Sequence, residues 1–233
     1  MAPKKGSSSS SSGGIGGWLK LFAIILGVLS PIIYLIDQNL DRFYIFEPAN
    51  LHDVAKRAIA AHGNDTQSVV HFILKELQEN PKTAPYVNDN IDNEYFFNNA
   101  GGAMGGMTII HASVTEYLII FGTAVGTEGH SGRHTADDYF HILRGEQWAY
   151  VPGEFEREVY KQGDVHLMRK GVIKQYRMPE LCFALEYARG WIPPMMFFGY
   201  ADLFTSVLDL PTAWYTAYYT GKQMIGNLLI GKF

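Results

Sequence analysis

The sequence predicts an α+β fold: a β-barrel with an N-terminal transmembrane helix, flanking helices, and two C-terminal helices beside the membrane. Three observations carry this. Residues 21–36 form an apolar run without a charge. Apolar residues then recur at helical spacing between 51 and 77, and from about Gly105 that spacing gives way to short β-like runs punctuated by glycines. Aromatic residues make up 14% of the 233 and charged residues only 18%, where soluble domains carry roughly 25% charged. A chain so composed meets something apolar, a bilayer or a greasy ligand. The net charge of −4, with no dense Lys/Arg block in the folded part, argues against nucleic acid as a partner. Cys182 is the only cysteine, so no intramolecular disulfide forms.

Taken in order, residues 1–17 are a Ser/Gly-rich tail expected to be disordered, carrying Lys4 and Lys5. Residues 18–38 read as the transmembrane helix: with Trp18 and a snorkelling Lys20, the run approaches the roughly 20 residues a bilayer needs. No small-residue cleavage site follows, since the chain continues Asp37-Gln38-Asn39. Lysines before the span and Asp37 and Asp41 after it put the N-terminus in the cytosol and the barrel in the lumen. In the helical and connecting segment, 39–104, Asn50 is placed to cap a helix ending at His62. A second helix starts at Asp65 or Thr66 and stops at Pro81. Within the barrel, 105–190, strands are expected at 107–111, 115–123, 139–143, 147–151, 158–161 and 182–187. The last segment, 191–233, reads as two helices split at Pro211, its aromatic side chains suited to a membrane interface.

The stretch GHSGRHTADDYFHILRGE, 129–146, resembles the first motif of the cupin barrels, in which two histidines and a glutamate bind a metal ahead of a glycine turn. Counting back from Gly145 puts Asp138 at the glutamate position, His134 at the second histidine and Gly132 at the first; in the second half-motif Gln175 takes the remaining histidine position. With two of four ligands missing, a barrel without metal is expected; the competing reading is a metal held by His130, His134 and Asp138. Strand alternation sets Asp138 and Phe140 on one face and Tyr139 and His141 on the other, with Asp137 a surface or capping residue. In CFALEYARG, Glu186 shares a face with Ala184 and Ala188. It is either paired with Arg189 or Arg177, or a carboxyl of raised pKa fit for acid–base work. Glu116 and Glu128 flank turns and read as solvated, and His111 as a satisfied core histidine.

The segments HASVTEYLIIFGTAVGTEGHSGR, ADDYFHILRG, KQYRMP, FALEYARGWIP and DLFTS resemble the fungal C-8 sterol isomerase family and its animal relative, the sigma non-opioid receptor. The likeness runs from the membrane span to residue 233. It implies a cupin-like barrel, a homotrimer, an endoplasmic reticulum membrane, and a closed apolar pocket in which Glu186 matches the receptor's ammonium-pairing glutamate. Matching pocket positions are Met107, Ile109, Tyr117, Ile119, Phe121, Asp138, Met178, Met195, Met196 and Gly199. The receptor's second acid falls on Phe140, and Asp138 replaces an apolar receptor residue, so one acid has moved two residues along the strand. The resemblance implies a delta-8 to delta-7 sterol isomerase using Asp138 and Glu186 without a cofactor, which of the two donates being open. Partners implied are the sterol, membrane lipid and lipophilic amine inhibitors. The alternatives are a ligand-regulated membrane scaffold without catalysis and a metal-dependent cupin dioxygenase.

Overall fold

The computed structural model describes residues 15–233; Lys4, Lys5 and the Ser/Gly tail before Ile15 lie outside them. The chain divides into two units, 1–40 and 41–233. In the first, helix α1 covers Ile15–Asp37. Its stretch Gly16–Asp37 has a mean hydropathy of 2.3 and no buried part. By length and composition it is a candidate membrane span. Pro31 is carried inside the helix, and the Ser30 hydroxyl donates to the Leu26 carbonyl at 2.6 Å.

The second unit opens with two amphipathic helices. Helix α2 runs Pro48–His62, with Glu47 at its N-cap and Pro48 in the first turn. Asn50 therefore lies inside the helix and does not cap it, because proline's fixed φ suits the first helical position and starts the helix earlier. Helix α3 runs Thr66–Glu79; the Asp65 side chain accepts from the Ser68 N–H, and Asn80 ends the helix ahead of Pro81.

Ten strands follow: β1 Phe96–Ala100, β2 Ala103–Ala112, β3 Glu116–Thr123, β4 Thr127–His130, β5 Ala136–Arg144, β6 Glu146–Tyr150, β7 Glu158–Lys161, β8 Val165–Met168, β9 Gln175–Met178 and β10 Cys182–Gly190. They form two antiparallel sheets, ordered β1-β2-β3-β10-β5-β8 and β4-β9-β6-β7. The mixed helix and strand architecture is the expected one, and hydrogen bonding leaves both sheets open. Helices α4, Ile192–Thr205, and α5, Leu210–Leu229, pack on β1 and β2. The break between them comes at 206–209, ahead of Pro211, which sits in the first turn of α5 as proline prefers. Gly101 and Gly102, at φ +63° and +86°, make the two-residue turn between β1 and β2. Asp202 of α4 accepts from the Gly102 N–H at 2.6 Å, tying the helix to that turn.

The larger sheet is buried on both faces, which is why β2 and β3 read as nearly continuous apolar runs. One face, with Leu118, Ile120, Leu185 and Tyr187, packs under α2 and α3. The other, with Met107, Tyr117, Ile119, Phe121, Ala184 and Ala188, shares a second core with Met178 and Tyr176 of the smaller sheet.

At one end of the first core lies an acid. Glu116 is 0% exposed. It accepts from the Ile45 N–H at 2.8 Å, the Phe46 N–H at 3.0 Å and the Tyr187 hydroxyl at 2.7 Å, and pairs with Lys232 at 2.8 Å. The expectation of a solvated Glu116 is thus corrected, since four partners replace the water it gives up. Glu128 faces solvent as expected, with Arg177 at 3.4 Å. His111 is a core histidine whose Nδ1 meets the Tyr86 carbonyl at 3.0 Å.

Candidate active site

Antiparallel pairing lines up side chains in rows across the inner face of the larger sheet. Ile119, Glu186, Phe140 and His166 form one row across β3, β10, β5 and β8. Tyr117, Ala188, Asp138 and Met168 form the next. Glu186 and Asp138 are therefore diagonal neighbours on adjacent strands, within reach of one another. The register from Ala136↔Gly190 to Asp138↔Ala188 is unbroken, so Asp138 points inward and Asp137 outward, where its carboxylate accepts from the Lys170 N–H at 2.8 Å.

The two carboxyls hydrogen-bond to each other. Asp138 is 2% exposed, and its Oδ1 has no partner. Burial, the largest effect, pushes the Asp138 pKa up to about 7. Glu186 is raised well above the ordinary carboxylate range, first by burial, then by the charge and hydrogen bond of Asp138. Neither arginine considered as a partner pairs with Glu186. Arg189 donates to the Tyr139 hydroxyl at 3.1 Å on the opposite face, and Arg177 pairs with Glu128. Near neutral pH the pair accordingly holds a proton, one member able to donate and the other to accept.

Both acids line a cavity together with Met107, Tyr117, Ile119, Phe121, Phe140, Met195, Met196 and Gly199. Ile109 and Met178 lie in the same apolar core without lining it. The Tyr117 hydroxyl is held by Thr220 of α5 at 3.2 Å. Tyr176, Ile192, Thr216, His130, Ser131 and His134 also line the cavity and were not among the expected substrate contacts. The signal for Tyr176 was present in KQYRMP, where it alternates in phase with the buried Met178, but four residues are too few to announce a strand. Thr216 comes from α5, and nothing local reveals that a helix forms one wall.

His130, His134 and Asp138 do not assemble as a metal site: among the described residues no group of three or more His, Cys, Asp or Glu is gathered to hold an ion. The two histidines are each tied to backbone. His130 Nδ1 accepts from the Gly132 N–H at 2.8 Å, and His134 Nε2 lies 2.7 Å from the Ser131 carbonyl.

A family model described as ERG2 and Sigma1 receptor like protein matches residues 23–232. The chain belongs to this family. Among ERG2 and Sigma1 receptor like proteins, it is 65% identical to the C-8 sterol isomerase of Neurospora crassa over 94% of this chain and 85% of the relative. It is 62% identical to the C-8 sterol isomerase of Pyricularia oryzae over 94% of this chain and 98% of the relative. The sigma non-opioid intracellular receptor 1 of Gallus gallus is 32% identical over 86% of this chain and 89% of the receptor. A solved cupin superfamily protein from Desulfitobacterium hafniense overlays 36% of this chain and 74% of its own, at 15% identity and a TM-score of 0.33.

Proposed function

We propose that this protein is a sterol C-8 isomerase in which Asp138 and Glu186 move the ring double bond from delta-8 to delta-7. The observation that carries the reading is a pair of hydrogen-bonded carboxyls, Asp138 buried and Glu186 half-buried, opening on an apolar cavity, in a chain whose fungal relatives bear that activity in their names. The protonated member adds its proton at C9, leaving the cation at C8. The carboxylate member then takes a proton from C7, so one proton enters as one leaves and the double bond forms between C7 and C8. No redox change occurs and no cofactor is consumed. The anionic pair and the ring faces of Tyr117, Phe121 and Phe140 stabilise the intervening cation.

The test is substitution. Glu186→Gln and Asp138→Asn each lower isomerisation about 10²–10⁴-fold while the protein stays folded, and Asp137→Asn is mild. Delta-8 and delta-7 sterols in cells carrying each variant measure this; substantial activity in Glu186→Gln refutes the mechanism. Lipophilic amines are inhibitors on this reading, because an ammonium imitates the C8 cation. Exchanging the nitrogen for carbon weakens displacement of a labelled amine strongly. The apolar α1 supports a single-pass membrane protein, the charges flanking it support a lumenal barrel-like unit, and the family likeness supports the endoplasmic reticulum and a homotrimer.

A further inference from the structure

A sterol carries one polar group on its ring system, the 3-hydroxyl, and an apolar cavity that takes a sterol has to satisfy it or leave it in water. The acid pair serves the double bond, so the hydroxyl calls for a second polar position. The cavity has one where β4 runs into the loop before β5: His130, the last residue of β4, and His134 of the loop both line the wall. Each ring packs against Phe198 of α4, at 5.9 Å and 5.4 Å between centroids.

Backbone bonds fix which nitrogen of each ring carries the proton. A carbonyl oxygen only accepts, so the 2.7 Å contact with Ser131 places the hydrogen of His134 on Nε2. His134 Nδ1 is left as a bare acceptor, and it is buried without a partner. A backbone N–H only donates, so the 2.8 Å bond from Gly132 leaves His130 Nδ1 as the acceptor and puts its hydrogen on Nε2. The loop therefore presents one acceptor and one donor, the complement of a hydroxyl.

The presentation is rigid. The His130 N–H donates to the Gly101 carbonyl at 2.8 Å, the Ser131 N–H to the Lys174 carbonyl at 3.0 Å, and the Ser131 hydroxyl accepts from the Lys174 N–H at 2.9 Å. Gly132 stands at φ +87°, and a Cβ there would collide with the His134 ring. Burial holds the His134 pKa below its ordinary value, which keeps the ring neutral and Nδ1 free to accept. Three residues lie between His134 and Asp138, a span of four Cα–Cα steps and at most about 14 Å when extended. That span lies within reach of a fused four-ring skeleton with its hydroxyl at one end and its reacting bond in the middle.

We propose that His134 and His130 form the subsite for the sterol 3-hydroxyl, His134 Nδ1 accepting from it and His130 Nε2 donating to it. The assignment rests on the isomerase reading above. Its test compares a delta-8 sterol bearing the free 3-hydroxyl with its 3-deoxy analogue, on the full chain in lipid nanodiscs. Wild-type enzyme prefers the hydroxylated sterol by about tenfold or more in kcat/KM, mainly through KM. His134→Phe, which keeps a ring but no acceptor, brings the preference close to unity, and His134→Gln restores part of it through its amide oxygen. His130→Phe lowers the preference less, because that ring is more exposed. Displacement of a labelled lipophilic amine lacking a hydroxyl reports whether each variant is folded. Equal turnover of the two sterols by the wild type overturns the subsite without needing any variant. A His134→Phe enzyme that is folded and keeps the full preference overturns it as well. Conversion of neither sterol by the wild type refutes the isomerase reading itself.

Discussion

Glu116 and Glu186 are the same residue type on neighbouring strands of one sheet, and their surroundings make them different groups. Glu186 was legible as inward-facing because strand alternation works from its immediate neighbours, Ala184 and Ala188. The environment of Glu116 was not, because its partners come from residues 45, 46, 187 and 232, and nothing in SVTEYL announces them. Glu116 is tied off by four partners, whereas the acid pair keeps an unpartnered oxygen and a cavity in front of it. Glu116→Gln leaves Lys232 buried without its counter-charge, which is expected to destabilise the fold by about 3–5 kcal/mol. Thermal unfolding in detergent checks this: an unchanged midpoint would mean that water or backbone carbonyls compensate Lys232. Asp138 shows the same reach of local reasoning as Glu186, since its inward direction depends only on an unbroken register with β10. That it lies beside Glu186 depends on which strands are neighbours, which is not a local property.

Among the elements, the long and strongly patterned ones were legible, and of the short ones only β6 and β7 were. Helices α2 and α3, and strands β2, β3, β5 and β10, carry enough apolar residues at one spacing to declare themselves. Strands β4, β8 and β9 have four residues each, and β1, FFNNA, holds two asparagines that read as turn. These were missed, yet β9 supplies Tyr176 to the cavity wall. Helices α4 and α5 do two jobs. Toward the core they offer Met195, Met196 and Thr216, and outward they leave Phe197, Phe204, Trp214, Tyr218, Ile225 and Leu229 exposed. Trp214 is 65% exposed beside Tyr218, with the rings stacked at 6.1 Å, a pairing suited to lipid headgroup depth. In vesicles of brominated lipid, Trp214 is expected to account for a distinct share of the quenched tryptophan fluorescence. Trp214→Phe should remove that share, and a variant quenched to the same extent as wild type would place α5 away from the bilayer.

For the molecule as a whole, two sets of buried titrating groups pull against each other. Burial lowers His111 to about pKa 4, His141 to about 3 and His166 to about 4. Their contribution to stability is complete above the unfolded value near 6.5 and is lost as pH falls toward 4. Asp138 and Glu186 are raised instead. Their contribution is complete below about pH 4 and is lost as pH rises through about 7. Between pH 4 and 6.5 the two sets offset one another. A doubly substituted Asp138→Asn/Glu186→Gln protein removes one set. It is expected to melt higher than wild type at pH 8 and to lose stability more steeply on acidification below pH 6.5. Parallel slopes for the two proteins would show that the acid pair is not strained in the folded state. The architecture was legible as a class, strands flanked by helices, but not as two open sheets: closure is decided by which edges meet, and sequence spacing does not encode it.

Lys232 donates to the Phe43 carbonyl at 2.6 Å across 189 positions of sequence, and to the Thr115 hydroxyl at 2.8 Å. Read along the ribosome's timetable, this lysine is made after every strand of both sheets, while the buried carboxylate it neutralises was made more than a hundred residues before. Until residue 232 has left the exit tunnel, Glu116 lacks the cation it pairs with in the folded protein. A translation arrest shortly before Lys232 would hold an intermediate with both sheets synthesised and α5 undocked.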